Sequence, residues 1–272
     1  MPARAAGPPK PRRHGFELPL DPLQVVSWVT FLAMGADLAV LYAPIYMRAG
    51  DITAIIGGAL CVVYLAPFLA SWWYATQCML IDPADPGDAY KADDSIPIDT
   101  RYCSACERHV KPRSRHCLSC RKCVDQYDHH CPWLNTCIGR HNYSAFIVLV
   151  HSLVVLTSMH IALLTHAGIY LATTTPLARQ ELAQTIGMPS RSYFIALVIS
   201  GVVGLVIVEQ LLELVCLHRR LQTRGITTYE YFRDGPDPLC QEAVCTWIRA
   251  TMSVKTRVAP DAPAGHTSSR AV

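Results

Sequence analysis

Long uncharged runs alternate with short charged stretches along this chain. Four of the runs are long enough to cross a bilayer, which takes about 20 residues of helix. The first covers about 25–47 and contains one charge, Asp37. The second lies between Asp51 and Asp82, an interval without Asp, Glu, Lys or Arg. A third fits about 144–171, inside the uncharged interval from Arg140 to Arg179. The fourth begins near Ser192, is uncharged to Val208 and continues through Glu209 and Glu213 to Leu217. Pro44 and Pro67 fall inside two of the runs, which membrane helices tolerate because neighbouring groups satisfy the freed carbonyls. Core helices of a large soluble protein would need far more polar sequence to wrap them. The pattern predicts an all-α polytopic membrane protein with four transmembrane helices.

Composition sharpens this. Of 272 residues, 51% are hydrophobic and 17% charged, against roughly a quarter charged in a soluble domain. That excludes a disordered chain, a nucleic-acid arm and most plain cytosolic enzymes. A net charge of +3 is too mild to point to nucleic acid as a partner, so the expected partner is the lipid bilayer. The first 20 residues are Pro-rich and basic and resemble no signal peptide, so the first span is expected to stay in the mature protein. Lys and Arg number four before the first span, nine between the second and third, and eight after the fourth. The opposite loops hold one (Arg48) and two (Arg179, Arg191). By the positive-inside rule both termini and the long middle loop are cytosolic.

The organisation expected is a cytosolic segment 1–24, two transmembrane helices in 25–81 and a cytosolic cysteine-rich domain 82–143. Two further transmembrane helices in 144–217 follow, then a cytosolic C-terminal region 218–257. A Pro-, Ala- and Ser-rich tail, 258–272, reads as disordered.

Seven of the 12 cysteines fall between Cys103 and Cys137. On the reducing side of a membrane such a cluster binds metal or acts catalytically rather than pairing as disulfides. The two C-x-x-C steps, Cys103–Cys106 and Cys117–Cys120, put thiolates at the separation a tetrahedral zinc needs. Two closed sites require eight ligands, and the segment offers seven Cys and four His (His109, His116, His129, His130). Some are therefore surplus. A RING-like module would close on another C-x-x-C pair, whereas Cys131 and Cys137 stand six apart. A surplus Cys beside a surplus His is the arrangement of a nucleophile with its base, although spacing alone does not say which Cys it is.

At Asp128-His129-His130-Cys131, followed by Pro132-Trp133, the sequence resembles the DHHC-type protein S-acyltransferases, or palmitoyltransferases. Asn135, Cys137, Gly139, Asn142 and Phe146 fall where the family pattern W-x-x-N-x-C-x-G-x-x-N-x-x-x-F places them. Asp82-Pro83 is similar to the family's Asp-Pro motif, and Thr227-Thr228-Tyr229-Glu230 to its T-T-x-E motif. The resemblance covers about residues 20–232. It departs at Thr136, where many members carry Asn, and in the C-terminal region, which has no Asn after Asn142.

The resemblance implies short β-hairpins holding two structural zinc ions, one on Cys103, Cys106, His116 and Cys123, the other on Cys117, Cys120, His130 and Cys137. It leaves Cys131 as nucleophile, His129 as base and Asp128 as the residue orienting it, with Thr228 supporting Asp128. Asp128 as a plain turn residue is the alternative. The implied reaction moves a long-chain acyl group from palmitoyl-CoA or a related acyl-CoA to Cys131 and then to cysteines of membrane-associated substrate proteins. The chain would slide into a dry tunnel among the four helices. The implied setting is the endomembrane system (Golgi, ER or plasma membrane), and an accessory subunit is left open. Residues binding CoA are not readable: Arg219 and Arg220 serve equally as juxtamembrane anchors. The rival is an inert membrane scaffold whose zinc module recruits partners, against which the intact Asp128, His129 and Cys131 argue. Asp37 is expected to face the bundle interior, either as a packing partner or lining the tunnel. His151, His160 and His166 are expected to be satisfied interior histidines.

Overall fold

A computed structural model of the chain describes residues 10–48, 52–87 and 100–234. It divides into two compact units: Leu20–Cys78 with Ser144–Arg224, and Met1–Pro19 with Met79–Tyr143 and Gly225–Val272. The tail expected at 258–272 lies outside the described residues.

The first unit contains four helices long and apolar enough to cross a membrane, Pro22–Ile45, Ile55–Leu80, Tyr143–Thr173 and Ser190–Arg224. Their outward faces expose Val29, Leu32, Val62, Leu69, Ile199, Val202 and Leu205, a surface that only lipid covers without penalty. The chain is a multi-pass membrane protein. Asp21 caps the first span: its carboxylate accepts from the Leu23 amide, and Pro22 supplies a preset φ at the first helical position. That span comprises α1 (Pro22–Asp37), a π-helical turn (Leu38–Tyr42) and α2 (Ala43–Arg48). The wide turn has a cause. Pro44 has no amide to give and its ring crowds the preceding turn, so the ladder loosens to an Ala43 N–H to Leu38 C=O bond.

α3 (Ile52–Leu80) carries Pro67 within it, and α4 (Tyr143–Thr173) is the third span. Sequence pattern did not foresee α5 (Pro176–Ile186), too short and too polar to register as a span. Its ends are well specified: Thr175 accepts from the Ala178 amide, Pro176 opens it, and Gly187 closes it in the left-handed conformation (φ 71°). α6 (Ser190–Arg224) continues beyond the expected end at Leu217. Leu214, Leu217, His218 and Leu221 form a buried stripe at helical spacing that carries the helix past the apolar run.

Lipid tails are as apolar as leucine, so packing and interhelical hydrogen bonds, not the hydrophobic effect, must join such helices. The packed core includes Tyr42, Tyr64, Leu156, Leu163, Leu164, Ala167, Leu171 and Tyr193, with Leu182 of α5. Inside it, residues of all four spans share a polar cluster. Ser200 Oγ donates to Asp37 Oδ2 at 2.5 Å, His160 Nε2 lies 3.1 Å from Ser200 Oγ and 3.3 Å from Asp37 Oδ2. His160 Nδ1 meets the Tyr64 hydroxyl at 3.2 Å. Asp37 thus faces polar partners inside the bundle, and His160 is a satisfied interior histidine.

The second unit is built of three antiparallel hairpins: β1 (Arg101–Cys103) with β2 (Arg108–Val110), β3 (Arg115–Cys117) with β4 (Lys122–Val124), and β5 (His129–Cys131) with β6 (Thr136–Ile138). Every strand has three residues, too few to be stable alone. Asp85 ties this unit together. Buried to 1% exposure, its carboxylate accepts from the Gly87 amide, the Lys111 amide and the Ser114 hydroxyl. Asp82, the motif position read from sequence, is more exposed and accepts from Lys122 Nζ at 2.6 Å. A short helix, α7 (Thr228–Asp234), completes the described part.

Candidate metal centres and active site

The eight residues expected as ligands gather into two groups, Cys103, Cys106, His116, Cys123 and Cys117, Cys120, His130, Cys137; within each, the donor atoms lie within 4.8 Å of one another. In the first, Cys106 Sγ is 3.1 Å from His116 Nδ1 and 3.6 Å from Cys123 Sγ. In the second, His130 Nδ1 lies 3.7 Å from Cys117 Sγ, 3.4 Å from Cys120 Sγ and 3.6 Å from Cys137 Sγ. A tetrahedral ion with metal–sulfur bonds near 2.3 Å spaces its donors about 3.8 Å apart, so both groups fit one. The cysteines of the segment are free thiols.

The thiols themselves call for a cation. Hydrogen bonds with Cys123 and His116 hold the Cys106 thiol down to about 4, and the same contact with Cys106 pushes Cys123 up. Burial, with Cys117 and Cys120 alongside, raises Cys137 well above the ordinary range. Each cluster therefore retains protons on some thiols unless a positive ion replaces them.

Cys131 and His129 belong to neither group. Both lie on β5, beside the ligand His130. His129 is fully buried and Cys131 is 4% exposed. Asp128 Oδ2 is 2.7 Å from His129 Nδ1, and the Cys131 side chain lies near enough to the ring to favour its charged form. With Nδ1 turned to the carboxylate, Nε2 is the nitrogen available to the thiol. Burial opposes charge on this ring, but the contacts to Asp128 and Cys131 outweigh it and raise His129 to about 9. The line Asp128–His129–Cys131 has the order of a carboxylate, base and nucleophile.

The T-T-x-E stretch holds the carboxylate from the other side. The Thr228 amide donates to Asp128 Oδ1 at 2.9 Å, and the Tyr229 amide donates to the Asp128 carbonyl at 3.0 Å. The contact comes from the main chain: the Thr228 hydroxyl is buried and makes no hydrogen bond among the described residues. Thr227 and Glu230 form a capping box at the start of α7, Thr227 Oγ1 accepting from the Glu230 amide and Glu230 Oε2 from the Thr227 amide. Arg113 grips the same carboxylate, Nε donating to Oε1 at 2.8 Å. Burial works against the Glu230 charge, yet Arg113 and Thr227 prevail and hold its carboxyl below the ordinary range.

Asn142 secures the turn after β6, accepting from the Gly139 amide at 3.0 Å and donating to the carbonyl of Cys137 at 3.0 Å. His109, the remaining histidine of the segment, pairs with Thr100 Oγ1 at 3.3 Å instead. Sequence reasoning overlooked a repeat. The pairs Cys103↔Arg108, Cys117↔Lys122 and Cys131↔Thr136 occupy the same place in three successive hairpins, 14 residues apart. The spacing of Cys103, Cys117 and Cys131 was the available signal.

No curated protein matches the chain at a significant level. The family model of the DHHC palmitoyltransferases matches residues 96–235. The match runs through both thiol clusters, the hairpin of Asp128 to Cys131 and α7. Since it also takes in just over half of the 272 residues, the chain belongs to the DHHC palmitoyltransferases, a family of acyltransferases.

Proposed function

We propose that this protein is a protein S-palmitoyltransferase that carries a long-chain acyl group from acyl-CoA to cysteines of membrane-associated substrates through a thioester on Cys131. One observation carries the reading: Cys131 stands on the same strand as, and beside, a histidine that is itself aligned by Asp128, while every other cysteine of the segment lies in a group able to hold a metal ion.

His129 takes the Cys131 proton, and the thiolate attacks the thioester carbonyl of acyl-CoA. The carbon–sulfur bond to CoA breaks, the acyl chain stays on Cys131, and CoA leaves as its thiol with the proton from His129. In the second half a substrate cysteine gives its proton to His129 and attacks the acyl-Cys131 carbonyl. Cys131 departs and recovers the proton. Asp128 keeps the imidazole oriented in both halves, as the aspartate of a triad does, and the Thr228 amide positions Asp128. The near-sealed setting of Cys131 suits a thioester that must outlast water.

The two Cys3His sets are what zinc takes, and with four protein ligands each would supply structure rather than an open position for chemistry. His130 would then fix the strand on which Cys131 stands. The excess of Lys and Arg in 82–143 and beyond Leu217 supports a cytosolic location for the module and both termini, in membranes of the Golgi, ER or plasma membrane. There the thiols stay reduced. The four apolar spans supply the dry surroundings that an acyl chain requires.

The test is autoacylation of purified protein with labelled palmitoyl-CoA. Wild type is expected to take up label and Cys131→Ser none, with two zinc ions per chain in both. Equal labelling of the two proteins would overturn the assignment.

A further inference from the structure

The two metal groups obey one rule. A C-x-x-C turn gives two ligands, and the next hairpin gives two more from a directly paired position, His116↔Cys123 for the first group and His130↔Cys137 for the second. The third hairpin begins the same turn. Cys131 stands at the place of Cys103 and Cys117, and Asn135 repeats the left-handed backbone of Glu107 and Arg121, all three at φ 52°. Leu134, however, replaces the second thiol, and the chain continues into α4 rather than into another hairpin. This turn has neither the ligands nor the partner hairpin that close a four-ligand site.

The N-terminal segment holds it instead. Arg12, 8% exposed, donates from its guanidinium to the carbonyls of Glu17 and Pro19 and closes residues 12–19 into a loop. The Asn135 side-chain amide reaches into that loop, donating to the carbonyls of Gly15 at 3.1 Å and Pro19 at 3.2 Å. Gly15 lies so close that a Cβ there would fall 2.2 Å from the Leu134 carbonyl oxygen. The same segment is anchored on the second turn, where the Arg12 amide donates to the Cys120 carbonyl at 2.9 Å and the Arg121 guanidinium to the Lys10 carbonyl at 2.8 Å. At the tips of the first two turns Glu107 and Arg121 are exposed to solvent, whereas Asn135 is 4% exposed.

We infer that residues 10–19 are a clamp that does for the third turn what metal does for the other two, with Asn135 and Gly15 as positioning residues that hold residues 132–135 and so aim Cys131 while leaving its thiol unligated. The inference rests on Cys131 as the acyl carrier. Its role explains why the nucleophile is found at a ligand position: the turn shapes the thiol's surroundings, and a side-chain amide replaces the ion that would otherwise consume it.

Two variants of the full-length protein test this in detergent. Asn135→Asp tolerates the left-handed backbone but removes the donor, and Gly15→Val pushes the loop away from the opposite side while leaving every residue of the cysteine-rich segment unaltered. Each is expected to lower kcat for loading Cys131 from palmitoyl-CoA at least about tenfold at unchanged KM. Zinc should stay at two per chain, and amide exchange should accelerate at residues 133–136. Because both break one contact, the double variant should be no worse than the poorer single one. Wild-type rates with wild-type exchange in both variants would overturn the clamp. So would zinc lost in step with activity, since the loop would then be supporting the metal groups. If Gly15→Val does not fold, Asn135→Asp decides by the same readings. Failure of the wild type itself to load would refute the acyl-carrier assignment instead, and exchange at 133–136 would still decide the clamp.

Discussion

The membrane unit and the cysteine-rich unit reach order by opposite routes. In the first, helices of up to 35 residues satisfy their own backbone, and specificity is added by a shared cluster of Asp37, Tyr64, His160 and Ser200. In the second, each strand has three residues, the buried clusters consist largely of cysteine, and the chain comes together around donor groups. The comparison teaches that one kind of order is distributed and tolerant of single losses, whereas the other is concentrated in a few atoms. Structural zinc contributes roughly 10–16 kcal/mol to a small domain, while one interhelical hydrogen bond contributes about 0.6 and at most about 2 kcal/mol.

Metal removal would expose that contrast most sharply. Chelation, or the substitutions His116→Ala and Cys123→Ser, should unfold the hairpins and abolish acyl loading. Helical circular dichroism from the spans should stay near its starting value, and loss of that signal in parallel would erase the distinction between the units.

Asp128→Asn should separate chemistry from scaffold inside the second unit. Loss of the carboxylate that aligns His129 is expected to slow loading by about 10² to 10⁴, the range seen when a triad aspartate is neutralised. Zinc content should not change. A loading rate within about twofold of wild type would return Asp128 to the role of a turn residue.

In the membrane unit the expected losses are smaller. Ser200→Ala should lower stability by about 1 kcal/mol, read from thermal or denaturant unfolding in detergent, with two zinc ions retained. Pairing it with His160→Phe in a double-mutant cycle should show coupling, because the two side chains touch. Purely additive losses would mean that the polar cluster is not a unit.

The smallest effect is expected at α7. Glu230→Gln keeps the shape of the capping box but weakens the pair with Arg113. It should cost about 0.5–1 kcal/mol and reduce loading only slightly, since the Thr228 amide can still reach Asp128. A loss as large as that of Asp128→Asn would show that α7 depends on Glu230 for its whole attachment.

Much of this architecture was legible in the order of residues. A long stretch that is both uncharged and strongly apolar is excluded from water, so the four spans could be read directly, to within a few residues at most ends. Metal ligands are chemically distinctive, so the thiol pairs stood out, and the resemblance sorted them into two groups. α5 escaped because it is short and its apolar positions are few. The extension of α6 to Arg224 escaped because charged residues there mask a buried leucine stripe. Asp82 and Asp85 each precede a proline, and that Asp85 is the one tying the unit together follows from donors on Gly87, Lys111 and Ser114, two of them more than 20 residues away.

The residues alone determined that the chain enters a membrane, that it presents a compact cysteine-rich segment and that the Cys and His there outnumber the ligands of two four-ligand sites. These inferences depend on local properties, apolarity and donor type, which survive without knowledge of distant contacts. Only the tertiary structure decided which partners the isolated groups find: His160 and Ser200 for Asp37, the Thr228 amide for Asp128, and the loop of Arg12 and Gly15 for Asn135. Those contacts join residues up to 163 positions apart, and long-range pairing is set by how elements pack, which no short stretch of sequence encodes.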